Sequence, residues 1–259
     1  MYKEAVDYIL KIRRFTKKNS LKNTERLLDA LDNPQNGIKF IHVAGTNGKG
    51  SVCAYINQIL LTAGKSTGLF TSPHLVKINE RIRINNEEIS DDEFYECYTD
   101  VMQAIERLPK EEYYHPSFFE FIFLMALDAF HKAGVEYAVL ETGLGGRLDA
   151  TNVIRNPIIT VITKIALDHT EILGNTISEI AYEKAGIIKE KIPVVFSDDN
   201  PESTEVILKR ADALNADAYG VKNESAKISV KDDKKIDFCM SNGIMKVMFL
   251  PYIILQSIR

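Results

Sequence analysis

Between Val43 and Ser51 the chain reads Val-Ala-Gly-Thr-Asn-Gly-Lys-Gly-Ser, and no other stretch gathers so many residues suited to one piece of chemistry. Glycines at 45, 48 and 50 lack β-carbons, so the backbone can curl until several N–H groups and the positive end of a following helix face one anion. Lys49 adds a full positive charge for outer phosphates, and Ser51 offers a hydroxyl to a magnesium ion. Gly45, Thr46, Asn47, Gly48, Lys49, Gly50 and Ser51 are therefore the expected nucleotide-binding residues. The pattern departs from the G-x-x-x-x-G-K-[ST] loop, because Val43 stands at the first glycine position and Gly50 displaces the hydroxyl residue by one place. That departure points away from GTPases and ordinary ATPases. A tight turn with a solvated lysine is the plainer alternative, but a strand before the loop and a helix after it favour a phosphate cradle.

The elements that must hold this loop follow from the period of the apolar residues. Residues 40–44 read as a buried strand and 51–63 as the helix that the loop opens. Helices are expected over 3–15 and 24–31, then a strand over 66–71. Ser90 and Glu93 form a capping box for a helix to about residue 108. A helix over 118–132, strands over 137–141 and 158–163, a helix over 177–188 and a strand over 193–197 complete the series. Such alternation predicts an α/β fold with a doubly wound, mostly parallel sheet. Ligands of such sheets lie beyond the carboxyl ends of the strands, where Gly45, Ser72, Glu141 and Lys164 fall. The stretch 71–86 reads as a loop, with Asn79, Glu80 and Arg81 near its turn. From residue 225 the pattern turns to strict alternation, with Ser241-Asn242-Gly243 as a turn. That is hairpin chemistry, and the charged run 232–235 reads as a solvated turn. The expected division is an ATP-binding domain over 1–225 and a β-hairpin extension over 226–259.

Composition narrows the class. With 259 residues and 45% hydrophobic content, the chain can bury one substantial α/β core, or one domain plus the beginning of another. A net charge of −4 gives no reason to expect a nucleic-acid surface. Cys53, Cys97 and Cys239 are scattered, which suggests neither a disulfide framework nor a zinc knuckle. Lys3, Glu4 and Asp7 interrupt any signal-peptide core, and the apolar run 121–127 is too short to span a bilayer. No membrane role and a cytoplasmic location are expected.

Five blocks occur in order: Gly45-Thr-Asn-Gly-Lys-Gly-Ser51; Thr71-Ser-Pro-His74 with Asn79-Glu-Arg-Ile82; Glu141-Thr-Gly-Leu-Gly-Gly-Arg-Leu-Asp-Ala-Thr-Asn152; Leu167-Asp-His169; and Glu183-Lys-Ala-Gly-Ile187. Together they resemble the folylpolyglutamate synthase and dihydrofolate synthase family within the Mur ligase superfamily. The resemblance covers the family's ATPase domain, from about residue 2 to residue 240. It implies an ATP-dependent amide ligase of folate biosynthesis that phosphorylates a substrate carboxylate and lets the amino group of L-glutamate displace the phosphate.

The resemblance also implies roles. Ser51, Glu141 and His169 line up with the family's magnesium ligands, and Ser72 is a further candidate. Lys49 and His169 join Lys184 as catalytic candidates, Lys184 lining up with a lysine that carries a carbamate. Left to the residues alone, Glu141 reads equally as a surface carboxylate, His169 with Asp168 as a structural pair, and Lys184 as a solvated charge. Asp149 and Ala150, with Ser117 and Phe119, match positions that hold the pterin in members able to use dihydropteroate. Members that only lengthen the polyglutamate tail tend to differ at the Asp-Ala pair, so the dihydrofolate synthase step is expected. Phe119 reads otherwise as core. The expected cofactors are ATP and Mg2+, the expected small-molecule partners dihydropteroate or folate and L-glutamate, and the expected state a monomer.

The family's carboxyl-terminal Rossmann-like domain, which supplies further ATP contacts and the glutamate site, has no counterpart in this sequence. Two expectations follow: a ligase whose other half lies elsewhere, or a truncated ATP- and pterin-binding remnant without turnover. A scaffold without nucleotide affinity has little support. A cell-wall Mur ligase is disfavoured by the Gly50 insertion and the Leu148–Asn152 segment.

Overall fold

The computed structural model describes residues 1–13, 21–109 and 114–222, together with strands at Ala226–Val230, Ile236–Met240 and Lys246–Phe249. The expected turns at 232–235 and 241–243 lie outside the described residues.

Eight strands form one sheet: β1 (Lys39–Ala44), β2 (Thr67–Phe70), β3 (Ile82–Ile84), β4 (Glu87–Glu88), β5 (Tyr137–Glu141), β6 (Ile159–Ile162), β7 (Val194–Ser197) and β8 (Ala218–Val221). Their order is β4-β3-β2-β5-β1-β6-β7-β8. All neighbours pair in parallel except β3, which runs antiparallel to β2 and to β4. The mostly parallel α/β sheet expected from the sequence is the observed fold. A second sheet has antiparallel order β11-β10-β9 over the last three strands named above.

Eight helices accompany the described strands: α1 (Tyr2–Lys11), α2 (Lys22–Ala30), α3 (Lys49–Thr62), α4 (Asp91–Arg107), α5 (Phe118–Lys132), α6 (Thr170–Leu173), α7 (Ile177–Ala185) and α8 (Pro201–Ala213). Successive strand residues face opposite sides of a sheet. Phe40, Ala138, Leu140 and Phe70 accordingly join the large core under α1, α2, α4 and α5. Ile41, Val43, Val139 and Leu69 meet Cys53 of α3 on the other face. A third cluster packs Ile180, Ala185 and Ile207 of α7 and α8 against Ile162, Val194 and Phe196.

The register aligns the strand ends that carry the site. Val43 pairs with Glu141, Ala44 with Ile162, and Phe70 with Leu140. Gly45, Glu141, Thr163 and the segment after β2 therefore emerge along one edge.

Four expectations change. Helix α1, expected over 3–15, ends at Lys11, where Ile12 turns extended. Helix α3 begins at Lys49 rather than Ser51, because Gly48 takes a left-handed N-cap with φ +85°. The stretch 71–86 is not a loop throughout: it contains a 3-10 turn at Ile78–Arg81 and the strand β3, whose buried Ile82 has its backbone paired with Phe70. Helix α7 stops at Ala185, where the backbone turns into Gly186.

Candidate nucleotide-binding site

The glycine-rich turn is held from behind by the segment after β6. Gly45 adopts φ +149°, and a β-carbon there would fall 1.8 Å from Thr163 Oγ1, so only glycine fits. Thr46 Oγ1 donates to Ala166 O and accepts from Ala166 N, both at 3.1 Å. The Thr46 and Asn47 N–H groups, expected among the phosphate donors, are bonded instead to Lys164 O at 2.9 and 3.2 Å. Donors remain at the helix end. The N–H groups of Lys49, Gly50 and Ser51 open α3 and have no acceptor within the helix. Lys49 Nζ folds back onto Thr46 O at 3.3 Å, which leaves the ammonium over the turn.

Glu141, at the end of β5, is 3% exposed, and its Oε2 accepts the Ser72 N–H at 2.9 Å. A β-carbon on Gly50 would lie 3.6 Å from that same oxygen, so the carboxylate sits beside the first turn of α3. Burial pushes its pKa up to about 7, against the Ser72 N–H and the charges of Lys49 and Arg81, which act in the opposite direction. A carboxylate so poorly compensated suits a cation. Ser51, Ser72 and Glu141 offer hard oxygen donors, the kind magnesium takes alongside waters and phosphate oxygens. Among the described residues no cluster of three or more His, Cys, Asp or Glu side chains could hold a metal ion. His169 lies apart from this group in character: its side chain is about half exposed, its backbone is left-handed at φ 47°, and its Nε2 is 3.7 Å from Asp168 Oδ2.

Lys184 is no solvated charge. It is 4% exposed on α7, and its Nζ donates to Gly45 O at 2.8 Å. Burial, helped by Lys49, brings its pKa down to about 8. The segment after β5 reaches α7 because Gly146 leaves room: a β-carbon there would lie 2.8 Å from Glu183 O and 2.9 Å from Lys184 O. Arg147 N donates to Glu183 O at 2.7 Å, and its guanidinium pairs with Glu183 Oε1 at 2.8 Å. Asn152 Nδ2 bonds Arg147 O and Gly186 O. The blocks 141–152 and 183–187 are thus one packed unit.

Over residues 43–253 the chain matches the Mur ligase middle domain. The chain belongs to the Mur ligase family. It is 43% identical over 234 residues to the dihydrofolate synthase/folylpolyglutamate synthase of Bacillus subtilis, covering 87% of this chain and 54% of that protein. It is similar to the FPGS-AMPPCP-folate complex, with TM-score 0.86, 36% identity, and coverage of 93% of this chain and 60% of that one. It is also similar to E. coli FolC in complex with DHPP and ADP, with TM-score 0.80, 30% identity, and coverage of 97% and 57%. The chain spans about half the length of the curated relatives it matches.

In this Mur ligase chain the expected pterin residues divide. Phe119 is half-buried, with its ring 5.4 Å from that of Phe70 and against Gly143, where a β-carbon would meet it at 2.7 Å. Ser117 is buried as the N-cap of α5, its hydroxyl donating to Glu120 Oε2 at 2.7 Å. Asp149 binds inward as well: Oδ2 accepts Gly143 N and Leu144 N, each at 2.9 Å, and Oδ1 accepts Thr151 N at 3.0 Å. Ala150 is buried beside it. Ser117, Asp149 and Ala150 are therefore buried within the fold, and Phe119 alone of the four is partly exposed.

Arg81 escaped assignment from sequence. It is buried, donates from Nε to His74 Nδ1 at 2.8 Å and stacks 5.2 Å over the Phe118 ring. Its block was legible, but nothing in the spacing said that the guanidinium turns inward. The roles of Thr163 and Ala166 behind the loop had no local signal, because they depend on the pairing of β1 with β6. No helix among the described residues is long and apolar enough to cross a membrane.

Proposed function

We propose that this chain is the nucleotide-binding part of an ATP-dependent amide ligase that adds L-glutamate to dihydropteroate, to folate polyglutamate tails, or to both. The observation that carries the reading is the grouping of open α3 amides, Lys49, buried Glu141 and buried Lys184 around Gly45. Relatives described as folylpolyglutamate or dihydrofolate synthases, and solved relatives holding nucleotide with folate or DHPP, support the substrate class.

Phosphoryl transfer is catalysed mostly by positioning and by neutralising charge on the moving oxygens. Lys49 and the N–H groups of Lys49, Gly50 and Ser51 hold the triphosphate against the end of α3. A carboxylate oxygen of the acceptor attacks the γ-phosphorus, the β–γ bridging bond breaks, and ADP leaves. The glutamate nitrogen then attacks the acyl carbon, phosphate departs, and the nitrogen loses a proton. Ser51, Ser72 and Glu141 would hold magnesium, with His169 as a further ligand, and the ion supplies neutralisation of phosphate charge. Lys184, with its pKa near 8, has a neutral fraction able to add CO2 as a carbamate. Ser117, Phe119, Asp149 and Ala150 form the acceptor wall.

The test is product analysis with this chain joined to the domain that supplies the glutamate site, given ATP, magnesium, L-glutamate and dihydropteroate. ADP and glutamylated product should appear in equal amounts. Formation of AMP in place of ADP would contradict the acyl-phosphate route.

A further inference from the structure

Phosphate binding makes no use of His42, which lies in the middle of the central strand and is 0% exposed. Its Nε2 is 2.8 Å from Thr151 Oγ1. The Thr151 hydroxyl donates to Asp149 Oδ1 at 2.5 Å. A hydroxyl has a single proton, so toward His42 the same oxygen can only accept. The imidazole is thereby fixed as the Nε2–H tautomer. Beyond Asp149 the file continues through Oδ2 to the N–H groups of Gly143 and Leu144, the residues that leave the end of β5. Five residues, His42 on the central strand and four in the segment 142–152, thus share one run of hydrogen bonds, from the interior of the sheet to the rim of the site.

The other ring nitrogen tells against a purely structural histidine. Nδ1 is buried without a partner, and so is Thr142 Oγ1. His42 pairs with Leu140, so His42 and Thr142 project from the same face of the sheet. An unsatisfied buried group costs on the order of 1–3 kcal/mol, and an apolar side chain would avoid that cost. What an apolar side chain could not supply is the N–H that Thr151 accepts.

We propose that His42 is a positioning residue for the acceptor site, holding Thr151 and Asp149 so that the segment 142–152 keeps its path along the acceptor wall. The proposal rests on the acceptor-site reading given above. Asp149 stands close enough to Glu141 and Lys184 for its charge to act on both, so a shift of this segment would be felt where the acceptor carboxylate must meet phosphate. Small displacements of reacting groups are costly.

Three variants separate the donor from the volume. His42→Gln keeps an N–H near the Nε2 position, His42→Met fills the space without one, and Thr151→Val breaks the same run one step further out. Amide hydrogen exchange at Gly143 and Leu144 needs no ligand. Both should exchange about fivefold faster or more in His42→Met and Thr151→Val, from loss of one neutral hydrogen bond, and within about twofold of the parent in His42→Gln. Unchanged exchange in all three variants would overturn the proposal. Calorimetry with dihydropteroate and with a non-hydrolysable ATP analogue supplies the second readout. The acceptor should bind about fivefold more weakly in His42→Met, with nucleotide affinity preserved. Equal weakening of both ligands would mean general damage and would also overturn it. If the parent shows the exchange pattern yet binds no dihydropteroate, the acceptor-site reading fails while the hold of His42 on the segment stands.

Discussion

Helices α3 and α5 are nearly equal in length and lie on opposite faces of the same strands, yet they are built to different ends. In α5, eleven of 15 residues are buried, whereas α3 buries two of 14, Cys53 and Asn57. The Phe130 ring of α5 lies so close to β2 that a β-carbon on Gly68 would come within 2.6 Å of it. On α3, Ile59 is 55% exposed. The α5 side provides the packing that holds the strand ends in register. The α3 side gives up packing so that its first turn can present N–H groups and a lysine.

The comparison predicts a large asymmetry in stability. Phe130→Ala should cost about 3–5 kcal/mol, read as a lower midpoint of guanidinium denaturation. Ile59→Ala on α3 should stay within about 0.5 kcal/mol. Similar losses at both positions would break the contrast.

His42, on the α5 face, sharpens it through pH. Burial, with Lys189 adding, holds its pKa down to about 3 from the ordinary 6.5. As pH falls below 6.5 the unfolded chain takes up a proton that the folded chain refuses until about pH 3, so stability is lost across that window. Between about pH 7 and about pH 5 the parent should lose about 2 kcal/mol more than His42→Gln, measured by urea denaturation. Parallel pH profiles would place a charged or solvated imidazole there.

On the α3 face, Gly45→Ala should weaken nucleotide binding about tenfold or more, because φ +149° and the Thr163 contact leave the loop no room. Titration with an ATP analogue checks this, and normal affinity would show that the loop yields. The smallest effect concerns Lys184. With its pKa near 8, a carbamate resonance from 13C-labelled CO2 should appear at about pH 8 and vanish in Lys184→Arg. Its absence in the parent would confine Lys184 to its bond with Gly45 O.

Much of this contrast was legible in the sequence. The expected strand 137–141 and helix 118–132 coincide with β5 and α5, because a short, mainly apolar run and a capped, largely apolar helix leave little choice. The glycine-rich turn was readable because its residue types have few other uses. Strands β3 and β4 were missed, being short strands among turn residues at one side of the sheet. Helix α8 was missed although Asn200 and Pro201 form a readable start; few of its side chains are buried, and its apolar period is weak. Burial of Lys184 could not be read locally, since it depends on Gly146 meeting Glu183 across 37 residues of chain. The inward use of Asp149 likewise depends on where Gly143, Leu144 and Thr151 come together.

The central claim is that the open end of α3 and Lys49 grip a triphosphate. Calorimetric titration of ATP with magnesium into the parent and into Lys49→Ala tests it most directly. Loss of about tenfold or more in affinity, with an unchanged denaturation midpoint, is the expected result, since one charge-assisted contact is removed and no packing is. Equal affinity in the two proteins would contradict the account.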